Sequence, residues 1–435
     1  MPAPSLTGAR KHGAVLAAAA LLATATAAAG PVTSATAAPA APAPPRPDCS
    51  AAYRIEQKLD GGTTWRMCWR YDTDSGLVLD KVTYQPKNQA TPIRVLTSAK
   101  LAQIHVPYDD GNAEYDDLTG AGFGWGLQNL KPAECPGGTI AKVKVPELGD
   151  VSGLCTTTRA RGHAYRMAND EGTKVWQSQG KDLLVYTVNK VAWYEYITEW
   201  RFSSDGTIAA NVGATGSLAP GDYNGTDGRG WPIGHGARSY ATSHAHNVFW
   251  RLDFGLDGSV KDRIEQYDSK VTAPSRNGGP TVKTTRTPVT KELAGDAKNM
   301  RWWRVVSATG KNKDGHPRSY EIVPGPSNTH AGRGFTKHDI YFTQSRACEQ
   351  FASNNILNCG PNAPDSVDKW VNGETLTDPA VWVNIGFHHI ARDEDQQPMP
   401  VHWQGFQLAP RDVTAMNPLT PADLADQNGA PRQGS

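Results

Sequence analysis

The chain has 435 residues, and its 44 basic and 43 acidic side chains leave a formal net charge of +1. This balance excludes a surface dedicated to nucleic acid or another polyanion. Hydrophobic residues make up 38% of the chain and charged residues 20%, which supports a folded core and excludes an intrinsically disordered protein. The 43 glycines and 31 prolines, with 13 Trp and 14 Tyr, favour short strands joined by tight turns over long helices.

The N-terminal segment, residues 1–40, predicts a secretory signal peptide. Positive charge at 10–12 precedes a run rich in Ala and Leu over 14–29, and small residues in Ala-x-Ala contexts follow. The run is short and mostly alanine, which argues against an anchoring transmembrane helix. Residues 41–48 predict an exposed Pro- and Ala-rich linker. We therefore expect a secreted protein without a membrane partner, folded as a single domain over 49–430.

The six cysteines suit an exported protein, because disulfides persist in oxidising compartments. Spacing alone leaves several connectivities open, and we carry nearest-neighbour pairing forward as the hypothesis. No two cysteines have the Cys-x-x-Cys spacing of a zinc knot. The three expected pairs are Cys49 with Cys68, Cys135 with Cys155 and Cys348 with Cys359.

The rest of the chain is patterned for strands, and we predict an all-β fold, a large antiparallel β-sandwich. Aromatic and β-branched residues cluster in short runs that turn sequences such as Ser204-Asp205-Gly206 separate. Helical periodicity is weak outside two alanine-containing stretches, 97–103 and 421–427. The predicted strands, in chain order, are 65–71, 77–84, 182–187, 192–202, 246–254 and 381–390.

A pair of histidines, His244 and His246, lies two positions apart on one predicted strand. Side chains at this spacing point to the same face, so both imidazoles can reach one metal ion. A second element, the pair His388 and His389, lies at the end of a later predicted strand. Three imidazoles with open coordination positions suit copper or catalytic zinc.

These histidines carry a resemblance to a known family. The stretch from His244-x-His246 to Arg251-x-Asp253 resembles the segment of copper amine oxidases that supplies two copper ligands. The segment 384–395, which is followed by Met399-Pro400, resembles the third-ligand signature of the same family. The resemblance implies that His244, His246 and His389, rather than His388, bind copper.

A further match is Trp193-Tyr194-Glu195-Tyr196, which resembles the family strand in which a tyrosine is oxidised to topaquinone. The resemblance implies that Tyr194 is the precursor of this cofactor. Two positions depart from the family pattern, because Trp193 replaces an asparagine and Lys190 a threonine. An amide can steer a quinone by hydrogen bonding, whereas an indole offers only one donor.

Three residues upstream resemble the part of the family that surrounds the quinone. The match implies that Tyr108 hydrogen-bonds the quinone, that Tyr115 gates its access, and that Asp117 is the base that removes a proton from the amine. Asp253 and Asp378 match ligands of a peripheral calcium site, but Gly255 stands where another carboxylate is expected, so a complete calcium site is not predicted.

The resemblance extends from about residue 65 to 418 and corresponds to the catalytic β-sandwich domain of the family. It implies a secreted amine oxidase that converts a primary amine, water and dioxygen into an aldehyde, ammonia and hydrogen peroxide. It also implies a homodimer, although the β-arms that clasp a partner in the family are not recognisable in the sequence. Three alternatives stay open: a copper oxidase without the quinone, a zinc hydrolase, and a non-catalytic binding sandwich stabilised by a metal.

Overall fold

The computed structural model describes most of the residues that follow the predicted linker. The signal-peptide and linker predictions, over 1–40 and 41–48, lie outside the described residues. Within the described part the protein is built almost entirely from antiparallel strands, with a single one-turn α-helix, α1 (Val367–Trp370). The described residues are 49–87, 89–219, 228–298, 300–328, 332–356, 359–360 and 362–427.

The first sheet has nine strands and carries the histidine pairs. Its short strand β5 (Glu114–Asp116) lies outside the main strand order and pairs with β4 (Ile93–Pro107). The remaining strands are, in order across the sheet, β1 (Arg54–Lys58), β2 (Thr64–Asp72), β3 (Gly76–Gln85), β4 (Ile93–Pro107), β13 (His244–Phe254), β20 (Pro379–His389), β19 (Ile340–Gln344) and β16 (Leu293–Gly295).

The second sheet has ten strands and carries Tyr194. Its strands are, in order, β15 (Pro280–Val289), β14 (Arg263–Pro274), β17 (Trp302–Lys311), β18 (Pro317–Pro324), β21 (Met399–Arg411), β10 (Ile208–Gly216), β9 (Tyr194–Ser203), β8 (Val175–Val191), β7 (Gly149–Ala168) and β6 (Thr139–Val145). A separate two-stranded ribbon joins β11 (Gly230–Ile233) to β12 (Ser239–Thr242). The 3-10 segments are Ala51–Tyr53, Phe123–Gly126, Pro132–Glu134, His235–Ala237, Leu256–Gly258, Asp393–Asp395 and Ala422–Gln427.

The two sheets pack face to face through large aromatic side chains. Trp65 of the first sheet contacts Phe202 of the second with ring centroids 5.1 Å apart. Trp250 meets Trp200 edge-on, also at 5.1 Å, and all four rings are fully buried. Each such side chain removes about 150–250 Å² of surface from water, so these layers dominate the stability of the core. The prediction of a large antiparallel β-sandwich is confirmed.

The predicted strands agree with β2, β3, β8, β9, β13 and β20. The helix predicted at 97–103 is wrong, because these residues lie within β4. This strand lies between β3 and β13 and is buried on both faces from Ser98 onward, so the polar and apolar alternation that identifies a strand is missing. The second helical prediction, 421–427, coincides with a 3-10 segment.

Nearest-neighbour disulfide pairing is confirmed for all three couples. No cysteine of the protein is left free, and all six fall in the part that the structure describes. No helix of the described residues is long and apolar enough to cross a membrane.

Two long hairpins, one formed by β7 with β8 and one by β14 with β15, extend into solvent. Every residue of β15 except Val289 is exposed, as are the last five residues of β14. Near the tip of this hairpin Val271 and Val282 are cross-strand partners, with exposed fractions of 61% and 56%. The sequence did not reveal these arms, because their polar strands lack the hydrophobic alternation of a half-buried sheet.

Candidate metal centre and active site

The register between β13 and β20 decides which histidines share a face. His244 is the direct cross-strand partner of His389, whereas Ala245 is opposite His388. Directly opposed side chains lie on the same face of a sheet, and so do residues two positions apart. His244, His246 and His389 therefore project from one face, toward the second sheet. His388 points the other way and pairs with Asp109 across 2.8 Å.

The three imidazoles converge on one point. One ligand atom from each of His244, His246 and His389 lies within 4.8 Å of the other two. Nε2 of His244 and Nδ1 of His389 are 3.3 Å apart. The phenol oxygen of Tyr194, which comes from the second sheet, lies 2.7 Å from the former atom and 2.8 Å from the latter. The sequence-predicted metal ligands and the predicted cofactor precursor are thus brought together.

The electrostatics of the trio favour a bound cation. Burial, reinforced by the neighbouring His389, lowers the pKa of His244 to about 3. Burial likewise lowers the pKa of His246 well below its ordinary value. Both rings are therefore neutral at physiological pH and carry a free lone pair. Nε2 of His246 is buried without a hydrogen-bond partner among the described residues, which is costly unless a metal completes it. Three imidazoles beside a phenol suit copper.

A carboxylate that sequence reasoning left without a role orients His389. Nε2 of His389 lies 3.0 Å from Asp395, which also accepts hydrogen bonds from the backbone and the guanidinium of Arg392. Burial alone would raise the pKa of Asp395, but these partners hold it below its ordinary value. With Nε2 of His389 engaged in this way, Nδ1 faces the centre. Arg392 and Asp395 are three residues apart, a spacing typical of a capped turn, and this was the only hint of the contact in the sequence.

Tyr108 and Tyr115 form an aromatic series that leads from the surface to the trio. The ring of Tyr108 stacks on His244 at 4.7 Å with an interplanar angle of 21°. Tyr115 meets Tyr108 edge-on at 6.0 Å and is 43% exposed. It also lines an open cavity of about 400 Å³. These positions are compatible with the inner and outer roles that the resemblance implies for the two residues.

Asp117 lies deeper than either tyrosine. Its side chain is buried, and burial raises its pKa to about 7 although a hydrogen bond with Tyr196 opposes the shift. The charge of Asp117 also contributes, after burial, Tyr108 and Asp395, to raising the pKa of Tyr194. Sequence reasoning did not assign a role to Tyr196, although strand alternation puts it on the same face as Tyr194.

Trp193, the departure from the family pattern, lies at the surface end of β9. Its half-buried indole meets Tyr115 edge-on at 6.2 Å. With Lys190 it lines a second cavity of about 420 Å³. Its carbonyl accepts a hydrogen bond from Ser217. The indole therefore contacts the proposed gate rather than the imidazole trio.

Of the residues that match a calcium site, Asp253 has hydrogen-bond partners within the protein. The carboxylate of Asp253 pairs with Arg251 of its own strand and is also hydrogen-bonded by Ser345. Among the described residues, the histidine trio is the one group of three or more His, Cys, Asp or Glu side chains close enough to share a metal ion.

Comparison with known proteins identifies the scaffold. A family model described as copper amine oxidase, enzyme domain, matches residues 63–427. The chain is 29% identical over 393 residues to the primary amine oxidase of Arthrobacter sp. (strain P1), covering 81% of this chain and 58% of that protein. It is 26% identical over 392 residues to the histamine oxidase of Arthrobacter globiformis, covering 81% and 55%. Across the curated relatives it spans between 50% and 60% of their length.

Solved structures share the fold. A copper-containing benzylamine oxidase from Hansenula polymorpha superposes with a TM-score of 0.71 at 21% identity, covering 84% of this chain and 62% of that one. The Aspergillus nidulans amine oxidase gives a TM-score of 0.70 at 19% identity, covering 91% and 56%.

Proposed function

The chain belongs to the copper amine oxidase family, and from this premise we propose that it oxidises a primary amine to the aldehyde. Water and dioxygen are consumed, and ammonia and hydrogen peroxide are released. The observation that carries the proposal is the phenol oxygen of Tyr194, which lies within hydrogen-bond distance of both His244 and His389. A buried tyrosine hydroxyl is satisfied by one hydrogen-bond partner of any kind. Tyr194 instead contacts two of the proposed metal ligands, as a tyrosine that is oxidised beside the metal must.

In this proposal His244, His246 and His389 hold copper, and Tyr194 is the precursor of topaquinone. Bound copper and the quinone supply a carbonyl that captures the amine and an acceptor for two electrons. The convergence of the trio and the unpartnered Nε2 of His246 support this ligand set.

The protein side chains around this centre have separate tasks. Asp117 is the base that takes the α-proton of the amine, and its pKa of about 7 lets it accept a proton at neutral pH without a large penalty. Tyr108 limits the space beside His244, on which its ring stacks, and the resemblance implies that its hydroxyl hydrogen-bonds the reacting ring. Tyr115, half exposed and edge-on to Tyr108, moves to admit the substrate.

The test is to load the purified protein with copper under air. We expect a visible quinone band, a phenylhydrazine mass adduct on the peptide that contains Tyr194, and amine-dependent hydrogen peroxide. Tyr194→Phe should keep copper and lose all three signals. Tyr320→Phe is the matched control, because it removes another buried tyrosine hydroxyl, one that bonds the Gly206 carbonyl.

Other outcomes separate the alternatives. Wild-type protein that binds copper and makes peroxide without the quinone band or the adduct is the quinone-free oxidase, which the Trp193 substitution motivates. Retention of zinc in preference to copper, with hydrolytic activity, identifies the zinc hydrolase. Metal-dependent stability without either reaction identifies the binding sandwich.

We also propose that the protein is exported and forms a homodimer. The three disulfides support export, since they persist outside the reducing cytosol. The two exposed hairpins support dimerisation, since they extend from the sandwich and could contact a second copy of the chain. N-terminal sequencing of protein from the culture medium tests for cleavage near residue 40, and light scattering tests the mass.

A further inference from the structure

Tyr196 connects two parts of the site that the proposed function treats separately. Its phenol oxygen lies 3.3 Å from Nδ1 of His246, and its hydroxyl and the Asp117 carboxyl are close enough for each to shift the pKa of the other. The three side chains belong to different strands or loops. The exposed fraction is 1% for Tyr196, 0% for His246 and 5% for Asp117. These contacts are therefore shielded from bulk solvent.

The direction of the hydrogen bonds follows from counting protons. A tyrosine hydroxyl has one proton to donate, and Asp117 above its pKa of about 7 is a carboxylate that only accepts. Tyr196 therefore donates to Asp117, so its oxygen is left to accept from Nδ1–H of His246. A neutral imidazole carries a single N–H, so the lone pair of His246 must lie on Nε2. This atom is buried without a hydrogen-bond partner among the described residues, in a ring that offers one ligand atom within 4.8 Å of those of His244 and His389.

We propose that Tyr196 is a positioning residue that, backed by the Asp117 carboxylate, fixes His246 in the tautomer and orientation that offer Nε2 to the metal. The inference rests on the proposed function and deepens it. Asp117 thereby serves two tasks, as the base toward the amine and as the terminal acceptor that orders a metal ligand.

The other two ligands have their own orienting partners, and within the described part of the chain Tyr196 is the one hydrogen-bond partner of the His246 ring. Nδ1 of His244 faces the carbonyl of Thr242 at 3.4 Å, and Nε2 of His389 faces Asp395 at 3.0 Å. On the far side of His246, Phe387 stacks on the ring at 4.7 Å and sets its plane but offers no polar atom. Stacking therefore leaves the tautomer open, and the hydroxyl of Tyr196 selects it.

The ring of Tyr196 is held independently of its hydroxyl. It stacks on Tyr194 at 5.6 Å with an interplanar angle of 15° and packs against Phe123 at 5.9 Å. Tyr196→Phe therefore removes the hydrogen bond while keeping the packing. Tyr320→Phe again serves as the control for the loss of a buried hydroxyl away from the site.

The first measurement is calorimetric titration of the metal-free variants with copper(II). Loss of a residue that orients a metal ligand typically costs 10–100-fold in affinity, so we expect about that loss in Tyr196→Phe and none in Tyr320→Phe. The second is pulsed electron paramagnetic resonance of the copper-loaded proteins. The remote nitrogen of one histidine should change its quadrupole coupling in Tyr196→Phe only. Equal affinity and unchanged couplings would overturn the proposal.

A third measurement uses the metal-free wild-type protein and does not depend on copper or on activity. Nitrogen-15 spectra of labelled histidine distinguish the two neutral tautomers, with His246 assigned by its loss in His246→Ala. At pH 8, where Asp117 is ionised, we expect protonated Nδ1 in the wild type and a mixture in Tyr196→Phe. A wild-type His246 protonated at Nε2 refutes the role of Tyr196 even if the protein is an amine oxidase. Protonated Nδ1 in a protein that fails to oxidise amines supports the role of Tyr196 while the proposed function fails.

Discussion

The phenol oxygen of Tyr194 lies 2.7 Å from Nε2 of His244, although the two residues belong to opposite sheets. Burial raises the pKa of Tyr194 well above its ordinary value, so without a cation the ring stays a neutral phenol. A metal ion at the trio would reverse this preference, because a nearby positive charge favours the phenolate. The closure of the sandwich therefore places the ring where a bound metal ion would favour its ionisation.

Copper should stabilise the fold through His246. A ligand that binds only the folded state raises stability by RT ln(1 + [L]/Kd), which is about 2.7 kcal/mol when the ligand is at 100 times Kd. Thermal unfolding of the metal-free protein with and without copper should show a clear rise in Tm. His246→Ala should abolish most of the rise. The control His316→Ala, in an exposed turn, should retain it. A full rise in His246→Ala would exclude that residue as a ligand.

Activity should depend on ionised Asp117. Because burial raises the pKa of this carboxyl to about 7, kcat/KM should increase as the pH rises through neutrality and reach a plateau above it. Asp117→Asn should lower kcat by about 10²–10⁴-fold, the usual contribution of a general base. Asp110→Asn, in the preceding turn, should leave the profile unchanged. An Asp117→Asn enzyme with the wild-type rate would refute the assignment.

The same shift predicts that Asp117 destabilises the fold at alkaline pH. Between the ordinary value of 3.8 and about 7, the folded protein holds a proton that the unfolded chain has released. Stability therefore falls as pH rises through this interval. Metal-free Asp117→Asn should melt a few degrees higher than wild type at pH 8 and at the same temperature at pH 4. A difference in Tm between the variant and the wild type that is the same at pH 8 and pH 4 would contradict a raised pKa of the buried carboxyl.

Trp193 should control access through its contact with Tyr115. Trp193→Asn removes the edge-on indole and frees one side of the proposed gate. We expect phenylhydrazine to label the Tyr194 peptide faster in Trp193→Asn, with little change in copper affinity, because the indole contacts no imidazole of the trio. Trp231→Asn, a change at an exposed tryptophan of the β11–β12 ribbon, is the control. Slower labelling would indicate that the indole admits the substrate instead.

The hairpin of β14 and β15 should contribute to the dimer. Val271 and Val282 pair across its strands and are both largely exposed, an arrangement that a second copy would cover. Val271→Asp should shift the mass from dimer toward monomer in light scattering. Val260→Asp, at another exposed valine, should not. A dimer that withstands the change at Val271 would place the interface elsewhere.

Much of the candidate site could be inferred from local pattern. The alternation of a strand is enough to put His244 with His246, and Tyr194 with Tyr196, on common faces. The hydrophobic pattern failed where burial covers both faces of a strand, as in β4. The hydrophobic pattern also did not predict the roles of Asp395 and of the Tyr196 hydroxyl, because their partners are side chains that a linear motif does not show.

By itself the sequence predicted six of the strands and the residue types of the metal centre, because each depends on short-range spacing, and it offered nearest-neighbour disulfide pairing as one hypothesis among several. The strand register agrees with the choice of His389 over His388 that the resemblance implied. Only the tertiary structure decided that Tyr194 reaches the trio from the opposite sheet and that the Asp117 carboxyl is connected to His246 through Tyr196. Register and sheet packing join residues that are far apart in the sequence, and these are set by the burial of the whole core rather than by any one segment.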